Sequence, residues 1–468
     1  MYQPGSELSV RHHWPAGAAA LLLLVSLLAA WPGVAMFDTV RQYSQVLSGS
    51  YDDWHPPVMA RLWSWLRPIG DGTAPLFALQ IIAYWIGLGA LAQALGRWRA
   101  VAVLAIGAFP VFLGWQAVVL KDGQLVGALA CAFGLVASAR IRARPLAWPA
   151  LAAVILCLAY ATLLRANAAF STVPLAVLLF VPPRHRFLRP AAILLCIPLV
   201  ILASQFVSRH LLGARDSGVS RVEAIYDLAG IAVRTGDPIG GMDPAALADL
   251  HCVKPLFWDP MQGREDCQAA LAGVDRLPAG TLYAMLASAA GKHPLAYAAH
   301  RLAHLNATWR WLVPLHWPLA APPAYDEPND LGLAARPGPA FLGWQRIAGS
   351  LTDLPFAWPV FWLALGLCGL VQWERMQPGP RRDLAFALLA SALCQEASFA
   401  ILSISSDLRY HLWPMLAVAL AWTLLWERWR WDRRTVLGLA LLSLVLLQGL
   451  SARLTLPEGP VAYKDLLK

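Results

Sequence analysis

The 468-residue sequence is short of charge: Asp, Glu, Lys and Arg together make up 14% of it, where an average soluble domain carries roughly a quarter. Water cannot be the main solvent of such a chain. There is no Gly-rich phosphate loop, and so nothing built to cradle a nucleotide. The cysteines show no metal-ligand spacing, which excludes a zinc knot. No strong strand alternation runs through the one long stretch that is not apolar, and no repeat of solenoid or transporter type is visible.

What fills the sequence instead is apolar. Hydrophobic residues make up 58% and the mean hydropathy is +0.53, gathered into blocks rich in Leu, Ala, Val and Trp that short knots of Arg and Pro separate. Blocks suited to crossing roughly 30 Å of hydrocarbon run over residues 15–36, 74–95, 100–118, 123–138, 146–164, 168–181 and 191–207. The pattern stops there and resumes over 356–371, 384–403, 410–425 and 436–450. The expected fold is an all-α polytopic membrane protein of about eleven transmembrane helices. It divides into a seven-span module over 1–207, a large loop over 208–355 and a four-span module over 356–468.

The net charge of +9 is explained by where the basic residues stand, and no nucleic-acid partner is expected. With the N-terminus in the cytoplasm, the short inner loops collect fifteen arginines: 97, 99, 140, 142, 144, 184, 186, 189, 375, 381, 382, 428, 430, 433 and 434. The short outer loops hold six basic residues, Arg41, Arg61, Arg67, Lys121, Arg165 and Arg409. Retention of positive loops in the cytoplasm therefore places 208–355 outside. The first span, after Arg11, His12 and His13, ends on small residues as a secretory signal would, but it is longer than a typical signal core and is read as uncleaved.

Five cysteines (Cys131, Cys157, Cys196, Cys368 and Cys394) fall singly inside spans, as small apolar side chains. Cys252 and Cys267 share the outer loop, face an oxidising compartment in this topology and are expected to form a disulfide. The loop has helical apolar spacing over 222–233 and 282–305 and should be a mostly helical cap. Its Trp309, Trp311 and Trp317 read as interfacial anchors. The first outer loop, 37–73, predicts two short helices. One carries Asp38, Arg41, Gln42 and Gln45 at spacings of three and four, lies in the membrane interface and ends at Gly49-Ser50. The other begins at His55-Pro56-Pro57 and stops at Pro68-Ile69-Gly70.

Charges at the outer boundary carry the chemistry, because a charge at that depth must be paired, hydrated or used. Asp38 follows the first span, Lys121-Asp122 join the third and fourth, Arg165 ends the fifth, and Asp407 and Arg409 open the tenth. A carboxylate among cations suits an enzyme that holds a lipid phosphate while a base takes a proton from a hydroxyl. The bland alternative is that the cations snorkel to headgroups and the acids cap helices, Asp53 above all, just before the proline-started helix. Glu396 lies inside a span, as either a buried partner for an arginine or a transport group.

The run Asp38-Thr39-Val40-Arg41-Gln42-Tyr43, followed by a Gly, aromatics and His55-Pro56-Pro57, resembles the first outer loop of C-type (GT-C) glycosyltransferases. The run Ser406-Asp407-Leu408-Arg409-Tyr410-His411-Leu412-Trp413-Pro414 resembles their late Arg-Tyr motif. The span and loop order is similar to that of protein mannosyltransferases and lipid A aminoarabinose transferases, the latter having Lys where this chain has His55. The resemblance implies transfer of a sugar from a polyprenyl-phosphate donor to an extracytoplasmic glycan, lipid or protein acceptor. It makes Asp38 the catalytic base, puts Arg41, His55, Arg409 and Tyr410 at the donor, and matches the family's second acid to Asp52 or Asp53. Lys121 and Arg165 join the donor site by their depth alone. No cofactor is implied; a divalent metal would act through Asp52 and Asp53, a pair that is more often a helix start. The expected location is a bacterial inner (plasma) membrane with the site on the periplasmic side. The rival class is a lipid or small-molecule transporter.

The arginine bias makes a direct prediction. Reporter fusions within 240–275 should be active only when the reporter works outside the cytoplasm, and fusions beside Arg140 only when it works inside. An active cytoplasmic reporter in 240–275 would reverse the orientation.

Overall fold

The structure, a computed structural model, describes residues 13–185, 187–426 and 431–468. Arg11, His12, Arg186, Arg428 and Arg430 of the charge argument lie outside the described residues. Among the described residues the regular structure is helical, with isolated β-bridges and no strand.

Helix α1 (Trp14–Ala30) leads into α2 (Phe37–Ser48) and α3 (Val58–Leu66), the two short helices expected in the first outer loop. Gly49 ends α2 in the left-handed conformation (φ 69°), which favours glycine, and its amide closes the last turn on the Gln45 carbonyl. Pro57 stands at the N-cap of α3, where a missing amide hydrogen costs nothing. Contrary to expectation, α2 does not turn its polar face outward. Gln42 and Gln45 are buried while Phe37 and Leu47 are exposed, because the side facing the rest of the protein is the one that needs polar groups.

Then come α4 (Ala74–Leu95), α5 (Arg97–Gly107), α6 (Pro110–Gln116) and α7 (Lys121–Ile141). The expected span at 100–118 is broken, with α5 and α6 bent by 55°. Pro110 lacks an amide hydrogen and drives Phe109 into an extended conformation, which stops α5. Helices α4 and α7 meet backbone to backbone: a Cβ at Gly87 would strike the Ala130 carbonyl, and one at Gly134 the Gly87 carbonyl.

After α8 (Trp148–Leu164), α9 (Ala169–Phe180) and α10 (Leu188–Phe206), the chain enters the long segment that the arginine bias expects outside, the outer segment of that expectation. This holds α11 (Val219–Thr235), α12 (Pro244–Asp249), α13 (Pro260–Gly263), α14 (Glu265–Ala270), α15 (Ala279–Lys292), α16 (Pro294–Trp309) and α17 (Pro339–Ser350). The segment is helical, as its spacing predicts, and Pro294 divides the expected 282–305 helix in two. Ile225, Leu228, Met242, Leu271 and Leu282 give it a core of its own, into which the Cys252–Cys267 disulfide is built. The indole N–H groups of Trp311 and Trp317 donate to the Val445 and Ala307 carbonyls.

The last helices are α18 (Pro359–Arg375), α19 (Pro380–Leu402), α20 (Leu412–Leu425), α21 (Arg433–Thr455) and the short α22 (Tyr463–Leu466). Among the described residues, five helices are long and apolar enough to cross a membrane, or six if α5 and α6 form one broken span. This is a helical membrane protein. α9 and α20, with 12 and 14 residues, reach only about 18–21 Å at 1.5 Å per residue. They are enclosed by protein, every residue of α20 except Trp422 being buried, whereas α10 buries none.

Arg301 fastens the outer segment to the membrane helices. Its guanidinium donates to the carbonyls of Phe399, Ala400 and Ser403 at the end of α19 and to Asp227 at 3.0 Å. These carbonyls have no partner within their own helix, so one buried cation, balanced by one buried carboxylate, closes the helix and joins the two layers.

The disulfide spans 15 residues of sequence within this core. Non-reducing peptide mapping should recover Cys252 and Cys267 in one linked peptide pair. Replacing both by Ser should lower stability by about 3 kcal/mol, read as a lowered melting temperature in detergent. Two free thiols would refute the pairing.

Candidate active site

The chain between α6 and α7 runs extended and lies against the segment that leads into α2. Val34 donates to the Ala117 carbonyl, Val119 donates to the Val34 carbonyl, and the Thr39 hydroxyl donates to the Val119 carbonyl at 2.7 Å. Asp38, one residue before Thr39, is thereby held beside Lys121, two residues after Val119. Buried glutamines fix the level of α7: Gln80 donates to the Gln116 and Val118 carbonyls, and Gln124 donates to the Gln80 side chain.

Arg409 comes from the other half of the chain. It lies in a 3-10 turn, Leu408–His411, that precedes α20. The Leu408 amide donates to the Leu319 carbonyl, Gln395 donates to the Tyr410 carbonyl, and the His411 ring lies 2.8 Å from Glu396. Glu396, which the sequence left open between an arginine's partner and a transport group, therefore pairs with a histidine and steadies this turn.

The charges meet here. Arg409 Nη1 lies 3.0 Å from Asp38 Oδ2, Lys121 Nζ lies 3.9 Å from the same oxygen, and His55 Nε2 lies 3.9 Å from Asp38 Oδ1. Arg409 Nε faces Asp122 at 3.7 Å and Asp407 at 3.5 Å. Arg165 pairs with Asp122 and lies over the Tyr410 ring at 3.9 Å. Asp38, Lys121, Arg165, Arg409, Tyr410 and His55 are thus one constellation, although they come from five separate places in the sequence.

Its electrostatics follow from burial. Burial alone would raise the Asp38 carboxyl, but the surrounding cations, led by Arg409, hold it well below the ordinary carboxylate range. Burial and then the Lys121 charge push His55 down to about 3, so this histidine is neutral and cannot supply the charge that a phosphate contact would use. Its Nδ1 accepts from Lys121 at 3.0 Å, which puts the ring proton on Nε2. That nitrogen is buried and has no hydrogen-bond partner in the protein. The same is true of Arg409 Nε and Nη1, which face carboxylates without hydrogen-bond alignment, and of Asp122 Oδ2. A buried donor left unmade costs about 1–3 kcal/mol.

Three expected residues stand apart. Arg41 is exposed at the rim, where it meets Asp52 at 3.5 Å. Asp53 accepts from the Ser217 amide and hydroxyl and from Arg209, tying the first outer loop to the outer segment. It caps nothing on α3, which has no side-chain cap. Asp52 and Asp53 therefore face different partners, and among the described residues no group of three or more His, Cys, Asp or Glu side chains is placed to hold a metal ion. Asp38 is not a cap either: it sits in the first turn of α2, which Thr39 closes by accepting from the Met36 amide.

Sequence reasoning named Asp122 and Asp407 among the boundary charges but gave neither a role in the site. It gave no sign of Asp259. This residue follows Phe257, which bridges to Ser405, and Trp258, whose amide donates to the Ile404 carbonyl. It accepts from the Tyr463 hydroxyl at 2.8 Å, while burial and the charges of Asp407 and Asp38 push its carboxyl up to about 6 against that bond. An apolar groove of 340 Å³ runs between α8, α9 and α10 past Leu163, Val173 and Val207, close to where Arg165 ends α8. Comparison of the chain with protein-family models, with curated proteins and with solved structures finds no match.

Proposed function

We propose that this chain is a membrane glycosyltransferase of GT-C type, which moves a sugar from a polyprenyl-phosphate donor to an extracytoplasmic acceptor by inverting displacement. The observation that carries the reading is a buried carboxylate, Asp38, held among Arg409, Lys121 and His55 at the ends of apolar helices, with buried N–H groups of Arg409 and His55 that make no aligned hydrogen bond. An anionic headgroup supplies the oxygens those donors lack, and the groove beside Arg165 is apolar as an isoprenoid chain requires. In this reading the chain crosses a bacterial inner membrane about eleven times, with the site on the periplasmic side.

The chemistry follows from the charges. An acceptor hydroxyl attacks the anomeric carbon, the bond from that carbon to the phosphate oxygen breaks, and polyprenyl phosphate leaves with the electron pair. The hydroxyl proton passes to Asp38. As long as Arg409 and Lys121 press on Asp38 its basicity is suppressed. An arriving phosphate takes up both cations and raises the basicity of the carboxylate at the moment it is needed. The donor thereby switches on the base, and hydroxyls are not activated before it is bound. Arg165 shares Asp122 with Arg409, while neutral His55 offers Nε2–H as a hydrogen-bond donor and no charge.

Asn replaces Asp38 almost isosterically but takes no proton. Asp38→Asn should cut transfer of radiolabelled sugar from polyprenyl phosphate by roughly 10²–10⁴-fold, in membranes that contain equal amounts of folded protein. A helix-start role would lose less than about 1 kcal/mol, so turnover within a few-fold of wild type sinks the assignment. Arg409→Ala should raise the donor's apparent KM more than the acceptor's, because it removes the only arginine in contact with Asp38 among the described residues. Unchanged donor kinetics would reassign Arg409 to a structural role.

A further inference from the structure

Gln42 and Gln45 play no part in the chemistry described above, yet their state is unusual. Their side chains are 1% and 4% exposed, and neither the amide nitrogen nor the amide oxygen of either has a hydrogen-bond partner. Buried amides are ordinarily paired, and on α2 they could have been placed outward, where Phe37 and Leu47 stand instead. The neighbouring buried glutamines show the contrast: Gln80 and Gln124 are satisfied by backbone and by each other.

Their position on the helix gives them a use. Asp38, Gln42 and Gln45 are spaced by four and three residues and so form one stripe along α2. Gln45 lies roughly 10 Å along the axis from Asp38. The donor's cations, Arg409 and Lys121, gather at the Asp38 end. The stripe therefore carries the two amides along the helix from the base itself. Amides that are neutral and can both donate and accept match a ligand whose groups also do both, which is a property of sugar hydroxyls.

A second observation points the same way. Arg41, beside Gln42, pairs with Asp52, whose other oxygen accepts from the Trp54 amide. The Trp54 ring meets that of Trp258 at 5.5 Å and 42°. Both rings are half-buried, and each adjoins a residue of the site, His55 in one case and Asp259 in the other. A pair of half-buried indole rings next to site residues suits a pyranose, which has apolar C–H faces and a polar edge.

We infer that Gln42 and Gln45, on the Asp38 stripe of α2 and with the Trp54–Trp258 ring pair adjoining His55 and Asp259 in the sequence, bind a carbohydrate acceptor next to Asp38. The inference rests on the glycosyltransferase reading and adds the acceptor's class, a glycan in place of a peptide or a simple lipid.

The test uses Gln42→Leu and Gln45→Leu in the full-length protein. Leucine keeps the bulk and removes the orphaned amide. The melting temperature in detergent should be equal or higher, and binding of polyprenyl phosphate, measured by thermal shift, should stay within about two-fold of wild type. Transfer from radiolabelled polyprenyl-phosphate mannose, glucose and arabinose, tried in turn on native membranes, should fall at least ten-fold, with label in the wild-type product recovered in protease-resistant glycan. Lower melting temperatures would make the amides structural and overturn the inference. So would undiminished transfer in both variants, or label that enters protein. Wild-type protein that fails to bind polyprenyl phosphate would instead overturn the underlying glycosyltransferase reading, and the acceptor role with it.

Discussion

The interaction on which the site depends is the burial of the Arg409 guanidinium against three carboxylates, Asp38, Asp122 and Asp407. An isolated charge taken from water costs several kcal/mol, and no one of these acids offsets that. Together they hold Arg409 well above its ordinary value although burial opposes it. Because the acids belong to α2, α7 and the turn before α20, the cation also fixes how three distant parts of the chain meet. Arg165 on Asp122 and Lys121 near Asp38 complete a network in which each charge is shared, and no member can be removed without leaving another exposed to the cost.

The outer segment keeps that network in place from above. His304 accepts or donates at the Ser403 hydroxyl, Thr308 meets Ser406, and Ser405 donates to Asp407. These three bonds cover the residues that lead to Arg409. Burial pushes the His304 ring down to about 3, so it serves as a neutral hydrogen-bonding group, in keeping with Arg301 at its side. The turn that presents Arg409 is thus held between α16 above and the Glu396–His411 pair below.

Much of this was legible in the residues. Hydropathy locates the apolar helices, and the convergence of Asp38, Lys121, Arg165 and Arg409 follows because each ends or begins an apolar block at one level of the membrane. The Cys252–Cys267 disulfide is legible for the same reason, since both cysteines fall in one outer loop. Other features were not. Pro110 announces a break, but its angle depends on packing around α6. The inward turn of Gln42 and Gln45 defeats pattern reading, which sends polar residues to water unless something polar waits inside. Asp53 resembles a cap because its true partner, Ser217, lies 164 residues away, and Asp259 reaches the site only through the pairing of Phe257 with Ser405.

The glycine contacts between α4 and α7 bear on how such a site could admit a lipid. Two helices that touch backbone to backbone cannot slide or part without losing the fit along their whole length, so they act mechanically as one beam. Lys121 and Asp122, at the end of that beam, are stationary. α10 is different, with no buried residue and only a shallow seat against α9. Packing among the described residues is thus tightest between α4 and α7 and loosest along α10, which forms one wall of the groove.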